Sequence, residues 1–147
     1  MEDRAIEFTG LNLVAQDIGA TAAFYRLLGI TIPEESVWQT GSGPHHVGDI
    51  EAGGSGILEL DSHALASAYN EGFVKQAVST VIGFRLPSRE AVDEMHARVV
   101  AAGHVSRQVP YDTFWGARYA IVADPDGRDI GLMSPSDPAR RQAPPDL

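Results

Sequence analysis

Hydrophobic and polar residues at the start of the chain change from a two-residue period to a three- to four-residue period. The segment 11–16 is apolar at every second position, as in a strand with one buried face. Asp17 can then cap the N-terminus of a helix predicted over 18–28, and Gly29 can end it in the left-handed conformation. The apolar positions that predict the buried face of this helix are Ala20, Ala23, Phe24, Leu27 and Leu28.

The same order of strand, capped helix and glycine recurs in the second half of the chain. A strand is predicted over 81–86, Ser88 is the N-cap of the next helix, and Gly103 follows that helix. The predicted buried stripe of the second helix is Ala91, Val92, Met95, Val99 and Ala102. Each half also finishes on a strong strand, at 56–61 and at 128–133. One supersecondary unit present twice predicts a fold built from paired modules.

The pattern divides the chain into four segments. We expect a first module over 1–62, a partly helical linker over 63–78 and a second module over 79–135. Prolines and charges predict a flexible tail over 136–147.

Composition narrows the classes of function. The chain has 147 residues, enough for one compact domain or two small fused modules. It contains no cysteine, which excludes disulfides and thiolate metal ligands. Its formal charge of −9 opposes binding to nucleic acid and favours neutral or cationic partners.

Apolar runs are far shorter than a membrane span and the first residues do not resemble a signal peptide, so we expect a cytoplasmic protein that does not bind membranes. Its bias toward arginine and alanine is typical of bacteria with GC-rich genomes.

Two stretches carry a family resemblance. Asp17 leads into Ala-Phe-Tyr-Arg-Leu-Leu-Gly at 23–29, and Phe-Trp-Gly-Ala-Arg-Tyr-Ala at 114–120 runs into Asp-Pro-Asp-Gly at 124–127. In this order the two stretches resemble the glyoxalase / bleomycin-resistance / extradiol-dioxygenase superfamily, also called vicinal oxygen chelate proteins, over roughly residues 8–135. The Asp-Pro-Asp-Gly stretch is also suited to a type I turn between antiparallel strands.

The resemblance implies an α+β fold of two βαβββ modules, whose curved mixed sheets enclose a cavity, and a homodimer. Whether the cavity forms within one chain or across the dimer stays open.

Metal-dependent members use four ligand positions, which correspond here to Gly10, Glu59, Val81 and Gly131. Glu59 alone has a side chain that can bind a metal, whereas catalytic ions generally need three or more protein ligands. A shift of register offers Asn12, Asp61 or Asp129, and no histidine. We therefore expect no metal and no other cofactor.

Glu59 is the main candidate for a polar site residue. Strand alternation places it opposite Leu58 and Leu60, so it points into the cavity if the leucines pack under the helices. Three roles stay open for its carboxylate: an ion pair with Arg85 or Arg118, contact with a ligand, or action as a general base.

Other candidates come from a histidine pair and from the aromatic residues. His45 and His46 lie in a segment whose glycine and proline content predicts a loop, and His46 is a candidate ligand contact. In antibiotic-binding members of the superfamily, planar groups stack on aromatic side chains in an acidic groove. The candidates here are Trp38, Trp115 and Tyr119. If 114–123 is a strand, Trp115 and Tyr119 share one face and Phe114 lies on the other, and which face lines the cavity stays open.

These observations favour a metal-independent protein that binds a small planar or cationic compound, as in antibiotic sequestration, over an enzyme. One alternative is a metal-dependent glyoxalase-like lyase, isomerase or dioxygenase with non-standard ligands, such as Glu59 with a loop histidine. Another is a metal-free enzyme in which Glu59 is the base.

Overall fold

The computed structural model describes residues 11–51, 57–69 and 80–143, without the side chains of Asp49 and Tyr69. The chain divides into two compact units, Met1–Lys75 and Gln76–Leu147. Among the described residues, no helix is both long and apolar enough to cross a membrane.

The first unit is a four-stranded mixed sheet with one helix inserted after its first strand. Its elements are β1 (Leu11–Ala15), α1 (Ile18–Leu27), β2 (Val37–Thr40), β3 (Gly43–Glu51), β4 (Ile57–Ser62) and α2 (His63–Tyr69). The strand order is β1-β4-β3-β2. β1 and β4 are parallel, and the other neighbours are antiparallel.

The second unit repeats this arrangement. Its elements are β5 (Val81–Arg85), α3 (Arg89–Ala101), β6 (Ser106–Asp112), β7 (Arg118–Ala123) and β8 (Asp129–Met133), in the order β5-β8-β7-β6. β5 and β8 are parallel, and the other neighbours are antiparallel. Two βαβββ modules with mixed sheets confirm the predicted α+β fold class.

The predicted helix boundaries are confirmed at both ends. Asp17 Oδ1 accepts a hydrogen bond from the backbone N–H of Ala20 at 3.0 Å, and Ser88 Oγ accepts one from Ala91 at 3.1 Å. Gly29 and Gly103, just beyond the helices, have φ values of +97° and +95°. These are left-handed conformations that glycine adopts without steric cost.

The predicted buried faces of both helices are partly wrong. In α1 the buried residues are Ile18, Thr21, Ala22, Phe24 and Tyr25. Ala20 and Ala23 are exposed, because the apolar stripe starts at Ile18 rather than two residues later. In α3 Val92 and Val99 are buried and Ala102 is exposed. Alanine carries little apolar surface, so it indicates the buried face of a helix poorly.

The loop predicted around His45 and His46 is also wrong, because β3 includes both histidines. Gly43, with a φ of +113°, lies at the β2–β3 turn, and Pro44 follows it opposite Gln39, next to a β-bulge. β3 begins to pair with β4 only at His46, so Pro44 removes no hydrogen bond from a central ladder.

The structure bears on the linker and the tail only in part. α2 (His63–Tyr69) is the helical part of the linker, and residues 70–79 and 144–147 lie outside the described residues. Within the predicted tail, the backbone N–H of Asp137 donates to Gly116 O at 2.9 Å, and that of Gln142 donates to Phe114 O at 2.7 Å. Residues 137–142 are thus hydrogen-bonded to the turn before β7, and a flexible 136–147 segment stays a prediction.

Candidate functional site

The face of the first sheet that lies opposite the buried leucines carries a polar cluster. Leu58 and Leu60 are buried in the core, so the alternating Glu59 and Asp61 project from the other side of β4. We call this side the first open face and define it by Asn12, Trp38, His46, Glu59 and Asp61. The register places Asn12 beside Glu59, His46 beside Asp61 and Trp38 beside His46.

His46 lies between two carboxylates on this face. Its Nδ1 is 2.6 Å from Asp61 Oδ1, and its Nε2 is 3.3 Å from Glu59 Oε2. Asn12 Nδ2 donates a hydrogen bond of 3.0 Å to the second oxygen of Asp61. Asp61 is only 1% exposed, whereas the side chains of His46 and Glu59 are 28% and 34% exposed. Asp61 is therefore the buried member of the cluster, and His46 and Glu59 are its accessible members.

Three of the five predicted ligand-binding residues thus lie on one face. Trp38 is the cross-strand partner of His46 and is 54% exposed, so its indole is available to a ligand. The sequence offers Asp61 only as a metal ligand in a shifted register, and it does not predict the contact of Asp61 with His46. Strand alternation from Glu59 already indicated that the two carboxylates share a face, but only the β3–β4 register brings His46 to them.

Within its own unit Glu59 contacts His46, and the ion pair considered for Glu59 with Arg85 or Arg118 stays a prediction. Arg118 Nε donates to Asp93 Oδ1 at 2.9 Å, and its Nη1 donates to Asp112 Oδ1 at 3.3 Å. Both arginine contacts lie inside the second module.

The second module has an aromatic cluster around Tyr119. The ring centroid of Tyr119 lies 5.7 Å from that of Trp115 and 6.2 Å from that of Tyr111, and Phe114 packs edge-on against Trp115 at 5.0 Å. Trp115 Nε1 also approaches Met133 Sδ at 3.4 Å. Contacts on several sides hold the indole in one orientation, as a stacking surface requires.

The aromatic residues reach this cluster from a turn and a strand. Residues 113–117 form a hydrogen-bonded turn with Gly116 at a φ of +92°, so the strand alternation considered for Phe114 and Trp115 does not apply. Tyr119 lies in β7 on the side opposite the buried Ala120 and Val122. We call this side the second open face and define it by Tyr111, Trp115, Tyr119, Gly131 and Met133.

Gly131 is covered by Tyr119. A Cβ atom at Gly131 would lie 2.8 Å from the Tyr119 hydroxyl oxygen, closer than real Cβ atoms come, and 3.1 Å from the nearest ring carbon, which is tighter than most real Cβ contacts. Burial raises the pKa of Tyr119 above its ordinary value, and the neighbouring Tyr111 and Asp129 raise that pKa further. The phenol therefore stays protonated at neutral pH and fills the space where a longer residue at 131 would extend.

The side chains do not fit a catalytic divalent ion at the four positions that the resemblance implies. Val81 and Gly131 carry no donor atom, Glu59 pairs with His46, and Gly10 has no side chain, although it lies outside the described residues. Across residues 11–51, 57–69 and 80–143, no group of three or more His, Cys, Asp or Glu side chains could hold a metal ion. A single carboxylate is too few ligands for such an ion.

Comparison with known proteins gives a family match over most of the chain. The model of the Glyoxalase/Bleomycin resistance protein/Dioxygenase superfamily matches residues 7–132. A search of curated proteins finds no match.

Several solved structures are similar to the chain. A glyoxalase/bleomycin resistance protein/dioxygenase family enzyme from Burkholderia phytofirmans PsJN is 20% identical with a TM-score of 0.71, and the match covers 86% of this chain and 96% of that one. Lactoylglutathione lyase from Agrobacterium tumefaciens is 22% identical with a TM-score of 0.60, covering 87% and 92%. TioX from Micromonospora sp. ML1 is 22% identical with a TM-score of 0.60, covering 87% and 98%. At such identities the likeness concerns the fold alone.

Proposed function

The chain belongs to the Glyoxalase/Bleomycin resistance protein/Dioxygenase superfamily, and from the geometry of its open faces we propose that it binds a small planar or cationic compound without a metal. The observation that carries this proposal is the position of Tyr119. Its hydroxyl group occupies the space above Gly131, which corresponds to one of the four ligand positions of metal-dependent members. An aromatic side chain thus stands where a metal ligand would be needed.

The second open face supports stacking of a planar group. Trp115 is braced by Phe114, Tyr119 and Met133, so little side-chain freedom is lost when a flat ligand packs on it. The Tyr119 hydroxyl, which remains protonated, can donate a hydrogen bond to a ligand acceptor.

Charge supports a preference for cationic or neutral compounds over anions. The first open face carries the carboxylates of Glu59 and Asp61, and the chain as a whole has a formal charge of −9. A metal-dependent alternative would need Glu59 and His46 as ligands. Two protein ligands are fewer than the three or more that catalytic ions generally have, which disfavours that alternative.

We expect proflavine, a planar cation, to quench Trp115 fluorescence in a saturable manner. A Trp38→Phe variant leaves Trp115 as the single tryptophan, because the chain has two. In this background, Tyr119→Ala should raise the Kd for proflavine about fivefold, as expected for loss of one aromatic contact worth about 1 kcal/mol. Anthracene-9-carboxylate, a planar anion, is the charge control. Linear, purely collisional quenching, or a Kd unchanged by Tyr119→Ala, would contradict the proposal.

We also expect that chelation does not change ligand binding. Protein purified without chelator should contain no stoichiometric divalent ion by elemental analysis, and its proflavine Kd should be the same before and after dialysis against EDTA. The physical reason is the lack of a ligand set at the superfamily positions. One ion per chain, removed by EDTA together with proflavine binding, would overturn metal independence.

A further inference from the structure

We propose that the first open face is an acid–base centre, in which His46 Nε2 takes a proton from a bound neutral compound and Asp61 positions the imidazole. This inference goes beyond ligand binding and uses a different module from the stacking surface around Trp115. It rests on the contacts of His46, on the burial of Asp61 and on the absence of a side chain at position 48.

Asp61 determines which nitrogen of His46 is available. Its Oδ1 lies 2.6 Å from His46 Nδ1, and its Oδ2 accepts a hydrogen bond from Asn12 Nδ2 at 3.0 Å. A carboxylate that is 1% exposed is stabilised by such donors, so the Nδ1 proton of His46 points at Asp61. The other ring nitrogen, Nε2, is then the basic atom, in the arrangement used by carboxylate-oriented histidine bases.

Glu59 stabilises the product of proton transfer. Its Oε2 lies 3.3 Å from Nε2, so an imidazolium formed at His46 has a carboxylate beside each ring nitrogen. The side chains of His46 and Glu59 are both partly exposed, so they can meet a substrate without opening of the core. Because the Glu59 carboxylate stabilises the protonated form of His46 more than the neutral form, it favours transfer of a proton to His46.

Gly48 leaves the approach to Nε2 open. A Cβ atom at this position would lie 3.1 Å from His46 Nε2 and 3.9 Å from Glu59 Oε2. Any side chain there would therefore cover the place where the two reactive atoms meet. Gly48 does not have a positive φ, so its backbone conformation does not require glycine. What glycine provides at this position is space for a substrate beside His46 Nε2.

The surroundings of His46 favour a neutral, planar substrate. Trp38, the exposed cross-strand partner of His46, offers an apolar surface beside the base. The carboxylates of Glu59 and Asp61 disfavour an anionic substrate and stabilise positive charge that arises during proton transfer.

The probe we select is 5-nitrobenzisoxazole, a planar neutral carbon acid. His46 Nε2 takes its C–H proton, the C–H electron pair forms the nitrile, and the N–O bond breaks to leave its electrons on the phenolate oxygen. The coloured phenolate reports the rate, and the reaction needs neither metal nor oxidant. All assays contain EDTA.

The proposal predicts that His46→Gln lowers kcat/KM for this elimination at least tenfold. The matched control is His45→Gln, because His45 is the adjacent residue and contacts Ser42 and Ser62 instead of the carboxylates. This control should retain the wild-type rate. Gly48→Ala should raise KM by restricting access to Nε2. Circular dichroism and thermal unfolding establish that each variant is folded.

The positioning role of Asp61 is tested by a measurement whose result a general loss of structure would not reproduce. In Asp61→Asn, ¹⁵N NMR should show loss of the preference for the Nδ1–H tautomer of His46, together with a lower kcat. If Asp61→Asn does not fold, the same tautomer measurement in Asn12→Ala tests the anchoring of Asp61.

Three results would overturn the proposal: a wild-type rate no higher than that of buffer, an equal rate in His46→Gln, or an imidazole without an Nδ1–H preference in the wild type. The elimination assay and the proflavine titration fail independently, since one depends on His46 and the other on Trp115.

Discussion

Replacing Gly131 with glutamate is expected to lower the free energy of unfolding by about 3 kcal/mol or more, because the new side chain overpacks the site and brings a carboxylate with it. Its Cβ would lie 2.8 Å from the Tyr119 hydroxyl oxygen and 3.1 Å from the ring. Tyr119 is held by Trp115 and Tyr111, so its ring cannot move away freely. Urea denaturation followed by circular dichroism measures the loss.

A matched control and a double variant separate steric conflict from the cost of the charge. Gly83 is the cross-strand neighbour of Gly131, is exposed, and has no atom within 4 Å of a Cβ placed there. Gly83→Glu should therefore cost less than about 1 kcal/mol, as surface substitutions usually do. Adding Tyr119→Ala to Gly131→Glu should recover roughly half of the lost free energy of unfolding, because the two residues are in contact and removing the ring relieves the overpacking. Equal effects of Gly131→Glu and Gly83→Glu would refute the role assigned to Tyr119.

The second large effect is expected at the closing turn, where Asp124→Ala should destabilise the protein by about 3–5 kcal/mol, the usual cost of leaving a buried charge without its partner. Asp124 is 4% exposed and Arg128 is 7% exposed. Asp124 Oδ1 accepts from the backbone N–H groups of Asp126 and Arg128, both at 2.9 Å, and its Oδ2 accepts from Arg128 Nη1 at 2.9 Å. Alanine would remove an acceptor for three donors at once.

Asp93→Ala is the control for this prediction. Asp93 also pairs with an arginine of the second module, Arg118, but its side chain is 51% exposed, so the loss should stay below about 1 kcal/mol. Thermal and urea unfolding of both variants measure the difference. A loss at Asp124 no larger than that at Asp93 would show that the turn tolerates removal of this carboxylate.

The closing turn shows how much of the fold could be predicted locally. Pro125 and Gly127 identify a turn from sequence, and Gly127 adopts a φ of +84° with its N–H donating to Asp124 O at 2.9 Å. The capped helices were predictable for the same reason, because each depends on residues only a few positions apart. The buried pair of Asp124 and Arg128 needed the structure, since a charged residue four positions from another is usually solvated.

The open faces show where local information stops. Alternation in β4 predicted that Glu59 turns away from the leucines, and the burial of Leu58 and Leu60 is confirmed. It could not predict His46 as the partner of Glu59, because that contact depends on the register of β3 against β4. Glycine and proline content indicated a loop there, whereas pairing with β2 and β4 makes the segment a strand.

The sequence alone determined the repeated module, the helix boundaries and the absence of donor atoms at Gly131 and Val81, because each depends on residue type or on short-range periodicity. The tertiary structure decided that Tyr119 fills the space above Gly131 and that His46 lies between Glu59 and Asp61. Both arrangements join residues on different strands. Strand register and ring packing set such distances, and a one-residue slip would move every one of these side chains to the other face.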